Sequence, residues 1–143
     1  MRLVVDTSVL VGEALRETGR RRLGEDRLEL FLPERMWGET QIELPRRARA
    51  FARRRGFAME LADGLAARCL EVIEANLALL EEAVYSALED EARERSLRDP
   101  DDWPVVASAM ALSAGIWTND NDFLGTGVPT WTTETVQAWL DRS

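Results

Sequence analysis

Four short apolar runs, Leu3–Val5, Leu28–Leu32, Ile116–Thr118 and Pro129–Thr132, are separated by stretches of helical spacing. This alternation constrains the fold more than any other feature. Runs of three to five residues are too short to be buried helices. Short, largely apolar runs of this kind suit strands of a parallel sheet covered on both faces. The chain is therefore expected to be α/β, with three α/β/α layers around a central, mainly parallel sheet of four to five strands.

Between the runs, Thr7 or Ser8 can cap a helix over Val9–Arg16, and a polar stretch follows from Glu17 to Arg27. After the second run, stopped at Pro33, helical spacing resumes from Glu34. Pro45 is expected to kink or restart that helix near Leu44, and Gly56 to break it. Phe57–Leu80 carries Leu61, Leu65, Ala66, Cys69, Leu70 and Ile73 at three- and four-residue steps and reads as one helix. Glu81–Arg98 is charged and helical, Val105–Ser113 is a mostly buried helix, and an amphipathic helix closes the chain to Leu140. With no repeat, low-complexity tract or flexible linker, residues 1–143 read as a single domain.

Composition narrows the chemistry. All 18 basic residues are arginine and histidine is absent. Histidine-based acid–base pairs, Ser–His triads, Schiff-base lysines and the P-loop lysine are thereby excluded. Cys69 is the only cysteine; it can form no internal disulfide and reads as a buried structural thiol. The chain starts without a charged-then-apolar leader, and no apolar run approaches membrane-spanning length, so a cytoplasmic location is expected.

What remains is acid. Asp6 closes the first apolar run, and Asp120 and Asp122 follow the third, so a parallel sheet puts them along one carboxyl edge, where such sheets bind ligands. Asp99, Asp101 and Asp102 precede the buried helix, and Glu39 and Glu43 share a helix face. Singly these acids have ordinary readings: Asp99 or Asp101 as helix cap, Asp122 as turn former, Glu43 as partner of Arg47. Gathered, they repel one another and raise each other's pKa unless a cation intervenes. Only hard oxygen ligands are available, which suits Mg²⁺ or Mn²⁺. One or two such ions, roughly 3.5–4 Å apart if two, are suited to attack of water on a phosphodiester.

The motifs VVDTSVLV, WGETQIELPRR, RDPDDWPVVASAMAL, IWTNDNDFLG and GVPTWTTE occur in this order over nearly the whole chain. Together they resemble the PIN-domain ribonucleases, including the VapC-like toxins of bacterial toxin–antitoxin pairs. The resemblance implies a four-acid catalytic and metal site at Asp6, Glu39, Asp102 and Asp120, with Asp122 assisting and Ser8 and Asn119 near the metal shell. Glu43 is an alternative to Glu39, and Asp101 or Asp99 to Asp102. It further implies Mg²⁺-dependent RNA cleavage, a homodimer, and an antitoxin that covers the site.

Formal charge is −8, which argues against a uniformly basic nucleic-acid surface. A local stripe nevertheless exists at Arg46, Arg47, Arg49, Arg53, Arg54 and Arg55. It reads either as a solvated helix face or as an RNA-phosphate ridge. An aspartyl-phosphate phosphatase is disfavoured, because Ser8 stands where its second acid belongs and its lysine is missing. The remaining alternatives are a catalytically silent PIN-like module that binds RNA or protein, and an RNA-processing nuclease that is not a toxin.

Overall fold

In strand β1 (Arg2–Val5), Leu3, Val4 and Val5 are wholly buried, yet they belong to two different cores. Leu3 and Val5 pack with Leu10, Leu44, Ile73 and Val136, whereas Val4 packs with Trp103, Val106, Ile116 and Phe123. Side chains alternate across a strand, so this division means that the sheet is covered on both faces. A computed structural model, describing residues 1–142, shows how.

Five strands form the sheet: β1, β2 (Glu29–Pro33), β3 (Leu77–Leu80), β4 (Gly115–Trp117) and β5 (Thr130–Trp131). Their order is β3-β2-β1-β4-β5, with every pairing parallel. The first face carries α1 (Thr7–Ala14), α2 (Glu17–Leu23), α3 (Glu34–Arg55), α4 (Met59–Asn76) and α8 (Thr133–Arg142). The second carries α5 (Glu82–Tyr85), α6 (Glu89–Arg95) and α7 (Trp103–Leu112). This is the expected three-layer arrangement. Ser143, the last residue of the span read as one domain, lies outside the described residues.

Chain direction across the sheet reverses beside β1. From β1 the chain proceeds outward to β2 and β3, then returns over α5–α7 to place β4 on the other flank of β1. The carboxyl ends of β1 and β4 therefore flank a topological switch point, the position at which open α/β sheets accept ligands.

Several elements depart from the sequence reading. Asp6, rather than Thr7 or Ser8, occupies the cap position of the first helix, which begins at Thr7. The polar stretch after it folds as α2, because Gly19 and Leu23 turn inward while Arg22 pairs with the buried Glu13. Gly19 passes so close that an added Cβ would lie 2.1 Å from the Glu13 carbonyl oxygen. Pro45 does not divide α3, which runs unbroken for 22 residues until Gly56, at φ 72°, ends it. The helix expected to reach Leu80 stops at Asn76, and Leu77–Leu80 instead pairs with Leu30–Pro33. The charged segment 81–98 is divided between α5, a 3-10 turn and α6.

Candidate active site

Asp6 leaves the end of β1 with its backbone amide donating to the Trp117 carbonyl of β4 at 2.9 Å. That bond ties the two strand ends together. Its carboxylate accepts from the Thr118 hydroxyl at 3.0 Å, and the same hydroxyl accepts from the Asp120 amide at 3.0 Å. One buried threonine thus holds two acids in register. Burial raises the Asp6 pKa above the usual carboxylate range, with Asp120 adding repulsion. The Thr118 hydroxyl and the nearby amides of Ser8 and Thr7 offset part of this, although Asp6 makes no capping bond to α1. The Thr7 hydroxyl, next in the chain, is buried without a hydrogen-bond partner.

Asp102 reaches the same mouth from the opposite layer, at the start of α7. Its pKa is raised to about 7, first by burial and then by the charges of Asp99, Asp6, Asp120 and Asp122. Its neighbours are otherwise engaged or remote: the Asp99 carboxylate accepts from the Asp101 amide at 3.0 Å, and the Asp101 side chain is 94% exposed beside Arg93. Glu39, on α3, is likewise raised by burial and by the nearby charges of Asp6 and Glu43. Glu43 pairs with Arg46 at 3.0 Å rather than with Arg47. The structure therefore brings Asp6, Asp99, Asp102, Asp120, Asp122 and Glu39 into one electrostatic neighbourhood drawn from four parts of the chain. Among the described residues no three acids already stand as a ready-made metal cage. The cluster is an open electronegative mouth.

The other expected site residues have visible tasks. Asp122 donates its amide to the Asp120 carboxylate at 2.9 Å and lies 3.6 Å from Arg98. Asn119 bonds Thr133 through both ends of its amide, at 3.0 and 3.3 Å, anchoring the start of α8. The Ser8 carbonyl accepts from Arg47 at 3.1 Å.

The profile of the PIN domain matches residues 4–141. The chain belongs to the PIN-domain family. Members of this family are generally nucleases and typically use divalent metals. No curated protein sequence matches significantly. Among solved structures, FitAB bound to an IR36 DNA fragment matches this PIN domain with a TM-score of 0.57 and 18% identity. The match covers 92% of this chain and 94% of the other, and it is a likeness of fold.

Beside the acids of the PIN domain runs a groove of about 1180 Å³, lined by Asp6, Asp120 and Asp122 and by Arg16, Arg47, Phe51, Arg54 and Arg98. The arginine stripe divides on this groove. Arg47 and Arg54 line it, whereas Arg46 is paired with Glu43 and Arg49 with Asp63 at 2.8 Å. Arg53 does not line it, and the Arg55 guanidinium lies over the Phe51 ring, 4.9 Å from its centroid. Sequence reasoning missed Thr118, Arg16, Arg98 and Phe51. Thr118, a hydroxyl ending an apolar strand immediately before Asn-Asp, carried a signal; Arg16 and Phe51 were separated from the acids by distances only folding closes.

Proposed function

We propose that this PIN domain is a Mg²⁺-dependent endoribonuclease and the toxin of a toxin–antitoxin pair. The observation that carries the proposal is the gathering of acids from four parts of the chain at the ends of β1 and β4, where burial and the charges of four other carboxylates raise the Asp102 pKa to about 7. Such a cluster is costly unless it binds a cation. The donor set fits a hard divalent ion, since every available side-chain ligand is oxygen and Mg²⁺ tolerates an open site in which it keeps several waters.

Asp6, Glu39, Asp102 and Asp120 would hold the ion, assisted by Asp122, with Ser8 and Asn119 at the periphery. When bound, Mg²⁺ or Mn²⁺ supplies charge for the scissile phosphate and acidifies a water. The chain's own groups do the rest. Thr118 fixes the Asp6 carboxylate and the Asp122 amide fixes that of Asp120. The groove admits a strand alongside them. Among the described residues no helix is long and apolar enough to cross a membrane, and the reading assigns the protein to the cytoplasm as a homodimer with an antitoxin.

Purified protein and its Asp6→Asn variant are to be incubated with an RNA panel in Mg²⁺, Mn²⁺ or EDTA. Cleavage is expected only for the unaltered protein with a divalent ion; cutting that survives both EDTA and the substitution rejects the proposal. RNA binding without any cutting supports the silent module. For the toxin role, bacterial growth arrest should require Asp6 and be relieved by the neighbouring open reading frame, whereas absence of arrest indicates RNA processing.

A further inference from the structure

The face of α3 that begins beside the acids continues past them. Glu39, Glu43, Arg47 and Phe51 follow at four-residue steps and Arg54 three later, so all project from one side of the helix. The adjoining row, Thr40, Leu44, Ala48 and Ala52, is buried. Burial of that row fixes the rotation of α3, and of the row before it Arg47 and Phe51, with Arg54 beyond, line the groove. At the helical rise, Phe51 stands about 18 Å along the axis from Glu39.

Charge and exposure distinguish this stretch. Arg47 gives one N–H to the Ser8 carbonyl, and Arg54 has no acidic partner among the described residues. On a chain of net charge −8, cations that face a groove without counter-ions are places for an incoming anion. Phe51 lies between them, 40% exposed. Its ring is braced by the Arg55 guanidinium and by Phe57, whose centroid is 6.4 Å away. A braced, exposed ring between two cations has the composition of a single-strand binding track: arginines for phosphates and an aromatic face for a base.

We propose that Phe51, flanked by Arg47 and Arg54, is a base-and-phosphate subsite that positions single-stranded RNA a few nucleotides from the acid cluster. A duplex is disfavoured there because its bases already stack on each other and offer no free face. The inference rests on the nuclease reading only for the choice of RNA; Phe51 and the arginines are positioning residues.

Binding is measured by fluorescence anisotropy with a labelled mixed-sequence single-stranded 12-mer RNA and its duplex, in EDTA so that nothing is cut. Phe51→Ala and Arg54→Ala should each weaken single-strand binding about tenfold. Phe51→Trp should retain it, and Arg46→Ala, whose arginine is paired outside the groove, should change nothing. Duplex binding should be weaker and insensitive to Phe51→Ala. In Mg²⁺, Phe51→Ala should act on KM for the 12-mer rather than on kcat, and should raise it more than the KM of a dinucleotide.

Single-strand affinity unmoved by Phe51→Ala and Arg54→Ala, equal dependence of the duplex on Phe51, or no binding by the unaltered protein overturns the subsite. The first of these leaves the groove to a peptide partner. Phe51-dependent binding without metal-dependent cutting upholds the subsite and rejects the nuclease; Asp6-dependent cutting indifferent to Phe51 does the reverse.

Discussion

Thr118 is the residue on which the proposed site depends without itself being acidic. Its hydroxyl donates to Asp6 and accepts from the Asp120 amide, so removing it releases both strand ends from one buried pivot. A hydrogen bond to a charged group contributes about 1.5–3 kcal/mol. Thr118→Val should therefore lower kcat/KM for RNA at least about tenfold and move the acidic limb of the pH profile upward, because the lost bond favoured ionised Asp6. Thr118→Ser should retain activity. Asp102 yields a second prediction. Its carboxyl keeps a proton in the folded chain up to about pH 7, whereas its ordinary pKa is 3.8. Across that window the folded state binds more protons than the unfolded, so this residue's contribution to stability is lost as pH rises. Asp6 and Glu39, also raised, act in the same direction. In EDTA, thermal melting should show Asp102→Asn gaining on the unaltered protein between pH 5 and pH 8; a constant gap would contradict the raised value.

At the scale of elements, the corner between α1 and α2 secures the helix that follows Asp6. Glu13 is fully buried, bound by Arg16 at 2.7 Å and by Arg22, and Gly19 lies against its backbone. Gly19→Ala has no flexible side chain to displace and should cost at least about 1–3 kcal/mol, read as a lower denaturation midpoint. This corner was the part of the fold least legible in sequence. ETGRRRL lacks an apolar stripe, and its helix exists because arginines satisfy a buried acid contributed by the preceding one. LALL departs from the helical pattern for a related reason: four apolar residues continuing that pattern take the strand state only because β2 offers a ladder to join. Pro45 does not interrupt α3, since one missing amide is tolerated where Leu44 and Ala48 are buried on either side of it. By contrast, Leu3–Val5 and Ile116–Trp117 announced themselves by being wholly apolar. The acids at their ends followed from sheet topology; the choice of Glu39 and Asp102 among their neighbours rests on resemblance, and both lie within electrostatic reach of Asp6.

For the whole molecule, the reversal of chain direction beside β1 places charge from the two halves at one edge, so a cation bound at the proposed site would bridge segments distant in sequence. Mg²⁺ or Mn²⁺ should consequently stabilise the entire fold, by about 1.4 kcal/mol for an ion at about ten times its dissociation constant. Melting at pH 8 with and without EDTA should show the increase, and Asp6→Asn should abolish it. The same topology has a consequence for biosynthesis. Thr118, which holds Asp6, is made 112 positions after it. A chain emerging from the ribosome therefore carries Asp6 on a strand whose second neighbour does not yet exist, and the acidic mouth is assembled only late in translation. On the nuclease reading, the nascent protein would stay silent beside the RNA-rich machine that makes it, a delay imposed by strand order alone.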